Sequence, residues 1–173
     1  MKRSLARYVV FDVETTGLSP ARGHRIIEIG AVAVSGEAMG EEFQSLIRTD
    51  APITKAARKV HGIGPQMLVG QLEAKEVMSL FKGFIGTSAL VAHNALFDVG
   101  FLQWECMRVG LALNSRYRCT LRMSRKLFPA LPDYKLETVA RHLGIPVDGR
   151  RRHRALEDAR MTAKIWIEMR KKQ

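Results

Sequence analysis

Cysteine is scarce in this 173-residue chain, which contains only Cys106 and Cys119. Two cysteines without C-x-x-C spacing form neither a disulfide framework nor a zinc site. We therefore expect both to be small hydrophobic residues of a protein in a reducing compartment. Long apolar runs are also missing, since the run that starts at Tyr8 ends before Asp12, too short for a signal peptide or a membrane span. These absences favour a cytoplasmic location without a membrane partner.

Acidic residues are few as well, because 17 Asp and Glu stand against 28 Lys and Arg and leave a formal net charge of +11. Such an excess attracts polyanions, and nucleic acid is the expected partner because neutralising its phosphates releases counterions. A solubilising surface would have the same net charge, so charge alone leaves both interpretations open. The hydrophobic fraction of 46% is ordinary for a globular protein. Without repeats or linkers, residues 1–173 are predicted to form a single domain.

The hydrophobic pattern predicts strands interleaved with helices. Short apolar runs bounded by turn residues indicate strands, and apolar residues at helical spacing indicate helices. The predicted strands are 8–13, 25–34, 41–48, 89–92 and 117–119, and the predicted helices are 54–60, 73–85, 95–108 (with Asn94 as its N-cap), 120–127, 135–143 and 154–171. Three strands followed by helices with two further strands predict an α/β fold with a mixed sheet.

Asp12 and Glu14 come at the end of the first apolar strand. Side chains alternate across a strand, so these two acids project from the same face and repel each other. A divalent cation between them would remove the repulsion, and carboxylate oxygens suit hard ions such as Mg²⁺. The D-x-E pattern alone favours the alternative, a solvated strand end.

Asp98 is the only acidic or basic residue between His93 and Trp104. The predicted helix around it is apolar on nearly every side and is therefore expected to be buried. An unpaired carboxylate in that environment would cost several kcal/mol, so a compensating partner must exist. The partner is either a buried arginine or a metal shared with other acids, and we favour the metal.

Asp158 lies on the apolar side of the last predicted helix. It shares a helical stripe with Met161, Ile165 and Met169, which is typical of a face turned toward the core. Its neighbour Glu157 falls on the charged face, where helix ion pairs form. The pattern therefore predicts that Asp158 points inward and that Glu157 does not.

His153 precedes Asp158 by five residues, and five helical residues rotate by about 500°, so the two cannot share one face of a regular helix. His153 is therefore predicted at or before the first turn, where the chain can bring it into the same site. A neutral imidazole there is a suitable general base near pH 7. The alternative is a surface histidine within the basic run 150–154.

Three segments together resemble the DEDD exonuclease superfamily, in the subgroup (DEDDh) whose third motif carries histidine. They are F-D-V-E-T-T-G-L at 11–18, H-N-A-L-F-D at 93–98 and H-R-A-L-E-D-A at 153–159. Any one of them could arise by chance, whereas all three in this order over most of the chain form a specific signal. Within the superfamily the chain is most similar to the proofreading epsilon subunits of bacterial DNA polymerase III and related exonuclease domains.

The resemblance implies a ribonuclease H-like α/β fold, in which helices flank a five-stranded mixed sheet. It also implies two divalent cations, Mg²⁺ or Mn²⁺, with Asp12, Glu14, Asp98 and Asp158 as their ligands and His153 as the general base. The implied reaction is hydrolysis of the terminal phosphodiester in the 3′→5′ direction, with release of nucleoside 5′-monophosphates.

The residues after the first acidic pair are expected to bind the terminal nucleotide. The resemblance assigns this role to Thr15, Thr16, Gly17 and Leu18. Gly17 would let backbone N–H groups approach closely, and Leu18 would wedge against the base. An ordinary turn between a strand and a loop would have the same sequence.

Two further positions carry open alternatives. His61 lies in a V-H-G-I segment resembling one that contacts the terminal nucleotide in the epsilon-like branch, but Ala56 stands where some members have an acid. For His61, substrate contact and loop packing are equally expected. Phe101 either stacks on a base, which is worth roughly 1–3 kcal/mol, or packs in the core.

Two classes of function remain at this stage. The first is an exonuclease acting on single-stranded or frayed 3′ ends, with DNA favoured over RNA and with a DNA polymerase as a candidate partner; an RNA-trimming exoribonuclease is its close rival. The second is a catalytically silent nucleic-acid-binding module. Clustered buried acids favour the enzyme, because a binder of polyanions gains nothing from them.

Overall fold

The computed structural model describes residues 6–148 and 153–172. A five-stranded sheet has the strand order β3-β2-β1-β4-β5. Its strands are β1 (Arg7–Thr15), β2 (Ile26–Ser35), β3 (Ala38–Leu46), β4 (Ala89–Ala92) and β5 (Tyr117–Cys119). The first three form an antiparallel meander, and β4 and β5 run parallel to β1. The mixed five-stranded sheet predicted from the sequence is therefore confirmed.

The helices of the described residues follow the predicted pattern with one addition. They are α1 (Lys55–His61), α2 (Pro65–Leu68), α3 (Ala74–Ile85), α4 (Ala95–Arg108), α5 (Thr120–Leu127), α6 (Leu136–His142) and α7 (Ala155–Arg170). The sequence did not predict α2, because four residues are too few to show helical periodicity. In the described residues, no helix is both long enough and apolar enough to cross a membrane.

The third strand begins earlier than predicted. Ser35 pairs with Ala38, so the hairpin turn consists of two residues, and Gly36 supplies the positive φ of 64° that such a turn requires. The predicted end at Arg48 is also wrong, because Arg48 leaves β3 and forms an isolated bridge with Glu73. The polar, half-exposed pattern of this edge strand explains why its start was hard to locate.

The two faces of the sheet bury different apolar sets. On one face, Val9 and Phe11 pack with residues of α3 and α4. On the other, Val10 and Val32 pack with α7. The alternation of side chains along β1 produces this division, and it explains why β2 is buried along almost its whole length.

The carboxyl ends of the three parallel strands lie at one edge of the sheet, as the parallel arrangement requires. They are Thr15, Ala92 and Cys119, and this edge is called the carboxyl edge below. Helix α4 begins there, three residues after β4 ends. Ligand sites of α/β sheets usually lie at such edges.

Candidate active site

Three carboxylates converge at the carboxyl edge. One oxygen from each of Asp12, Glu14 and Asp158 lies within 4.8 Å of the other two. Asp12 is half-buried, whereas Glu14 and Asp158 are buried. Three carboxyl groups this close cannot all be ionised without strong mutual repulsion at low dielectric. A hard divalent cation would neutralise them, and the all-oxygen donor set fits Mg²⁺ or Mn²⁺.

Asp98 approaches the acids of β1 from the opposite face of the sheet. It lies in the first turn of α4, is 3% exposed, and its Oδ1 accepts a hydrogen bond of 3.3 Å from the backbone N–H of Val13. That N–H belongs to the residue between Asp12 and Glu14. In the part of the chain that the structure describes, no arginine pairs with Asp98. The fourth acid therefore lies beside the other three without the buried arginine that was its alternative partner.

Asp158 on the last helix is buried, as the apolar stripe of that helix predicted. Asp158 is 3% exposed, whereas the neighbouring Glu157 is exposed and pairs with Arg160. Helix α7 begins at Ala155, so His153 precedes the first turn, also as predicted. Its Nδ1 lies 2.8 Å from Oδ2 of Asp158, and the side chain is 45% exposed. The structure thus places His153 at the mouth of the acidic cluster, while the first three residues of the basic run, 150–152, lie outside the described residues.

Burial without a counter-ion raises the pKa of two of these acids. The pKa of Glu14 rises to about 8, first through loss of hydration and then through the negative charges of Glu28 and Asp98. The pKa of Asp98 also rises, because burial outweighs the hydrogen bond from Val13. Binding of a divalent cation at these acids would therefore be coupled to the release of protons.

Glu28 is a buried acid at this site that the sequence analysis missed. It is fully buried and lies opposite Glu14 in the β1–β2 pairing. Its carboxylate accepts hydrogen bonds of 2.6–3.1 Å from Arg154 and one of 3.1 Å from the N–H of Ala155. Glu28 therefore binds the N-terminus of α7, where negative charge is favourable. The Arg154–Glu28 pair fixes the residue between His153 and the helix.

Gly30 makes the close approach of α7 possible. It lies opposite Asp12, and a Cβ built on it would lie 2.1 Å from the backbone nitrogen of Leu156 and 2.4 Å from the carbonyl carbon of Ala155. Only a residue without a side chain fits there. A glycine directly after I-E-I in a predicted strand was the sequence feature that could have indicated a close approach at this position. The sequence alone does not reveal which segment of the chain packs against it.

The loop after β1 presents Leu18, which is 83% exposed. Hydrogen bonds hold its neighbours in place. The hydroxyl of Thr15 donates to the carbonyl of Gly17. The backbone N–H of buried Thr16 donates to the carbonyl of Arg25, and the hydroxyl of Thr16 accepts from the N–H of Arg25. The imidazole of His24 fills the space that a side chain on Gly17 would need, 2.5 Å from its built Cβ. The loop is therefore ordered around one exposed apolar residue.

For His61 and Phe101 the geometry supports the packing alternatives. His61 is 3% exposed, its Nδ1 accepts from the N–H of Ile63, and its Nε2 contacts the carbonyl of Thr15. Both ring nitrogens are occupied, so His61 acts as a buried brace of the β1 loop. Phe101 is 1% exposed and packs on Phe97 with the ring centroids 4.9 Å apart, which leaves no ring face for a base.

Asn94 precedes α4 where the sequence predicted the helix cap, but it does not cap with its side chain. Its backbone is left-handed, with φ 62° and ψ 47°, and only its carbonyl bonds into the helix, to the N–H of Phe97. Asparagine tolerates this conformation better than most residues. The sharp turn from β4 into α4 brings Asp98 to the carboxyl edge.

The raised pKa of Glu14 predicts how stability depends on pH. Because the folded pKa, about 8, exceeds the unfolded value, protonation of Glu14 stabilises the folded state at low pH. This stabilisation is lost as pH rises through 8. In chelator, we expect the melting temperature to fall between pH 5 and pH 9, and added Mn²⁺ should raise it more at pH 8.5 than at pH 6. Differential scanning fluorimetry measures both effects.

The control for this dependence is Glu14→Gln, which removes the titrating carboxyl but keeps its shape. We expect its melting temperature in chelator to vary less with pH than that of the wild type. A wild-type dependence that Glu14→Gln left intact would assign the effect to other groups.

Comparison with known protein families gives one consistent result. The family model for exonucleases (RNase_T) matches residues 9–166. Over 172 residues the chain is 36% identical to DNA polymerase III subunit epsilon of Pasteurella multocida, covering 94% of this chain and 68% of that protein. Over 158 residues it is 40% identical to DNA polymerase III PolC-type of Clostridium perfringens. The match covers 91% of this chain but only 11% of that polymerase.

Solved structures agree with the sequence comparison. Exonuclease X in complex with a 5′-overhanging DNA duplex superimposes with a TM-score of 0.75 at 26% identity, covering 96% of this chain and 92% of the other. The five-stranded mixed sheet with its flanking helices is thus the ribonuclease H-like fold that the motifs implied. The chain belongs to the exonuclease family that includes the epsilon and PolC proteins of DNA polymerase III, and its acids and histidine follow the DEDDh pattern.

Proposed function

We propose that this protein is a metal-dependent 3′→5′ exonuclease that hydrolyses the terminal phosphodiester of single-stranded nucleic acid. The observation that carries the proposal is the convergence of Asp12, Glu14 and Asp158 within 4.8 Å, with His153 bonded to the last of them. Such a cluster would weaken the binding of a polyanion by a protein that does nothing else, whereas a metal-dependent hydrolase of phosphodiesters requires one.

The four acids of the DEDDh pattern form the proposed cation site. Asp12, Glu14 and Asp158 are close enough to share one ion, and Asp98 lies beside them as the additional ligand that a second ion needs. When bound, a pair of divalent cations supplies charge for both the attacking and the leaving oxygen of an in-line displacement. The buried position of these acids strengthens their hold on the ions, because little water competes with them.

His153 is the proposed general base. With Nδ1–H donating to Asp158, Nε2 is left unprotonated and can accept the proton of the attacking water. The ring is half-exposed, so water and a terminal phosphate can reach it. Attack at phosphorus then displaces the 3′ oxygen of the preceding nucleotide and releases a nucleoside 5′-monophosphate.

The β1 loop is the proposed contact for the terminal nucleotide. Leu18 projects from it fully enough to pack against a base, whereas Gly17 is buried beneath the ring of His24 and allows that close contact. Thr15 and Thr16 are buried and shape the loop through their hydroxyls, so their proposed contribution is to hold Leu18 in position. His61 and Phe101 are buried beneath this surface and are not part of the proposed contact.

DNA is the proposed substrate and a polymerase the proposed partner. Relatives at 36% and 40% identity are named as parts of DNA polymerase III, and exonuclease X was solved with DNA. The chain spans about a ninth of the PolC-type proteins that it matches. A proofreading or repair role agrees with these likenesses, and an RNA-trimming exoribonuclease is the alternative.

The direct test is degradation of single strands labelled at the 5′ end, with DNA and RNA of one sequence side by side. We expect stepwise shortening with Mg²⁺ or Mn²⁺, none with chelator, and faster shortening of DNA. Strands that bind without shortening would instead indicate the silent module. Faster shortening of RNA would indicate the exoribonuclease.

The variant His153→Ala tests the general base. We expect kcat to fall by roughly 10²–10⁴-fold, the range that a positioned acid or base contributes, while Mn²⁺ still raises the melting temperature. His142→Ala is the control, because His142 is an exposed histidine on α6. If the His153 variant lost its response to Mn²⁺, His153 would be reassigned as a metal ligand.

A further inference from the structure

One long segment of the chain has no acidic residue at all. Between Glu105 and Asp133 the sequence contains no Asp or Glu, although cations recur throughout. Five of those cations lie on β5, the residue before it, and α5: Arg116, Arg118, Arg122, Arg125 and Lys126. All five are exposed, and they are called the β5–α5 cationic surface below.

The pairing of β5 with β4 shows where the strand part of this surface faces. Arg118 lies opposite Val91, and paired residues project from the same face of a sheet. Val91 belongs to the apolar set under α7, so Arg118 lies on the α7 side. Arg116, two residues earlier, shares that side.

Helix α5 continues the surface on the same side of the sheet. Its residue Ser124 bonds to the sulfur of Met169 on α7, which places the buried face of α5 against α7. Arg122, Arg125 and Lys126 recur at three- and four-residue spacing, so they share the outer face. The five cations therefore lie on one side of the molecule.

These cations have no acidic partner among the described residues. In residues 6–148 and 153–172, none of the five pairs with an acid, whereas Arg154 and Arg160 do. Arg125 lies over the ring of Tyr134, 5.6 Å from its centroid. Like charges crowded without counter-charges destabilise a compact state. An external polyanion would remove this repulsion.

The surface begins beside the acidic cluster. Thr120, the first residue of α5, bonds to His93 through its hydroxyl at 2.8 Å, and His93 opens the H-N-A-L-F-D segment that contains Asp98. The eight residues of α5 extend about 12 Å from that point. A strand whose 3′ end lies at the acids can therefore reach these arginines with its next nucleotides.

We propose that the β5–α5 cationic surface binds the phosphates of the nucleic-acid strand upstream of its 3′ end, an inference that rests on the proposed exonuclease function. The surface holds the part of the substrate that is not being cleaved. It therefore governs the capture of long strands and leaves the chemistry at the terminal phosphate unaffected.

The test compares two triple variants with the wild type. The first, Arg118→Gln/Arg122→Gln/Arg125→Gln, removes three charges from the surface. The second, Lys75→Gln/Lys82→Gln/Lys164→Gln, removes three exposed charges from α3 and α7 and is the control. Each is assayed on a 30-nucleotide single strand and on the p-nitrophenyl ester of thymidine 5′-monophosphate, which is too short to reach the surface.

For the long strand we expect kcat/KM of the first variant to fall roughly 10- to 100-fold at 0.1 M salt, with kcat little changed. The plot of log kcat/KM against log salt has a negative slope, and its magnitude should decrease by about 2. Each phosphate that is no longer neutralised lowers that magnitude by about 0.7. Hydrolysis of the small ester should be unchanged, and the melting temperature equal to or above that of the wild type, because repulsion is relieved. The control variant should show a markedly smaller change in slope.

Equal effects in both triple variants would show a general effect of net charge and overturn the proposal, as would an unchanged salt slope in the first variant. Loss of ester hydrolysis in the first variant would also overturn it, because the surface would then be part of the reacting site. If the wild type itself failed to shorten the strand, the proposed exonuclease function would be the one to fail.

Discussion

Asp12→Asn is expected to lower kcat on single-stranded DNA by at least about a thousandfold, since loss of a cation ligand removes several kcal/mol of transition-state stabilisation. The substitution keeps the shape of the side chain and removes one of the three carboxyl groups that converge within 4.8 Å. Single-turnover assays with saturating enzyme measure the rate. Titration with Mn²⁺, followed by melting temperature, measures ion binding.

Measurements of the melting temperature distinguish loss of a cation ligand from unfolding of the variant. In chelator, Asp12→Asn should melt close to the wild-type temperature, because asparagine keeps the shape of the side chain. Asp50→Asn, an exposed acid in the loop after β3, is the matched control and should retain full activity. An active Asp12→Asn variant would show that the acidic cluster does not bind the ions used in catalysis.

Gly30→Ala is expected to produce the largest loss of stability among these variants. The added Cβ would lie 2.1 Å from the backbone of Leu156, so α7 must move away from β2. Overpacking in a core costs about 1–3 kcal/mol, and contact with backbone rather than a flexible side chain favours the upper end. For a domain of this size, about 3 kcal/mol corresponds to a fall of roughly 6–12 °C in melting temperature.

Activity should fall with it, because Asp158 and His153 are placed by the start of α7. We expect loss of kcat at temperatures where the variant is still folded by circular dichroism, together with weaker Mn²⁺ binding. Gly40→Ala on β3 is the control, since the nearest atom to its built Cβ is 3.8 Å away. A Gly30→Ala variant with wild-type kcat would show that the acids tolerate displacement of α7.

Two acids of the site, Asp98 and Asp158, could be singled out from the sequence because each violates a local pattern. Asp98 interrupts an apolar helix, and Asp158 interrupts the apolar stripe of the last helix; both are 3% exposed in the structure. A buried carboxylate is costly, so such interruptions indicate a compensating role. The same reasoning separated Asp158 from Glu157, which the structure places on the exposed face.

His61 and Phe101 show where such reasoning ends. Their segments fit either a substrate contact or a packing role, and only the surrounding contacts distinguish the two. His61 has both ring nitrogens engaged, and Phe101 is enclosed by the core. Burial of a side chain depends on elements far away in the chain, which a motif does not include.

The sequence by itself predicted the order of strands and helices, the apolar faces, and two buried acids, Asp98 and Asp158, because these follow from local periodicity and from residue types that are costly to bury. The first acidic pair and His153 were predicted only through the resemblance to the DEDDh exonucleases. The tertiary structure decided how the site is assembled. Glu28 and Gly30 read as ordinary strand residues, yet they lie opposite Glu14 and Asp12 and receive the start of a helix more than 120 residues later. Contacts between segments so distant depend on the packing of the whole sheet, and periodicity within one segment does not encode them.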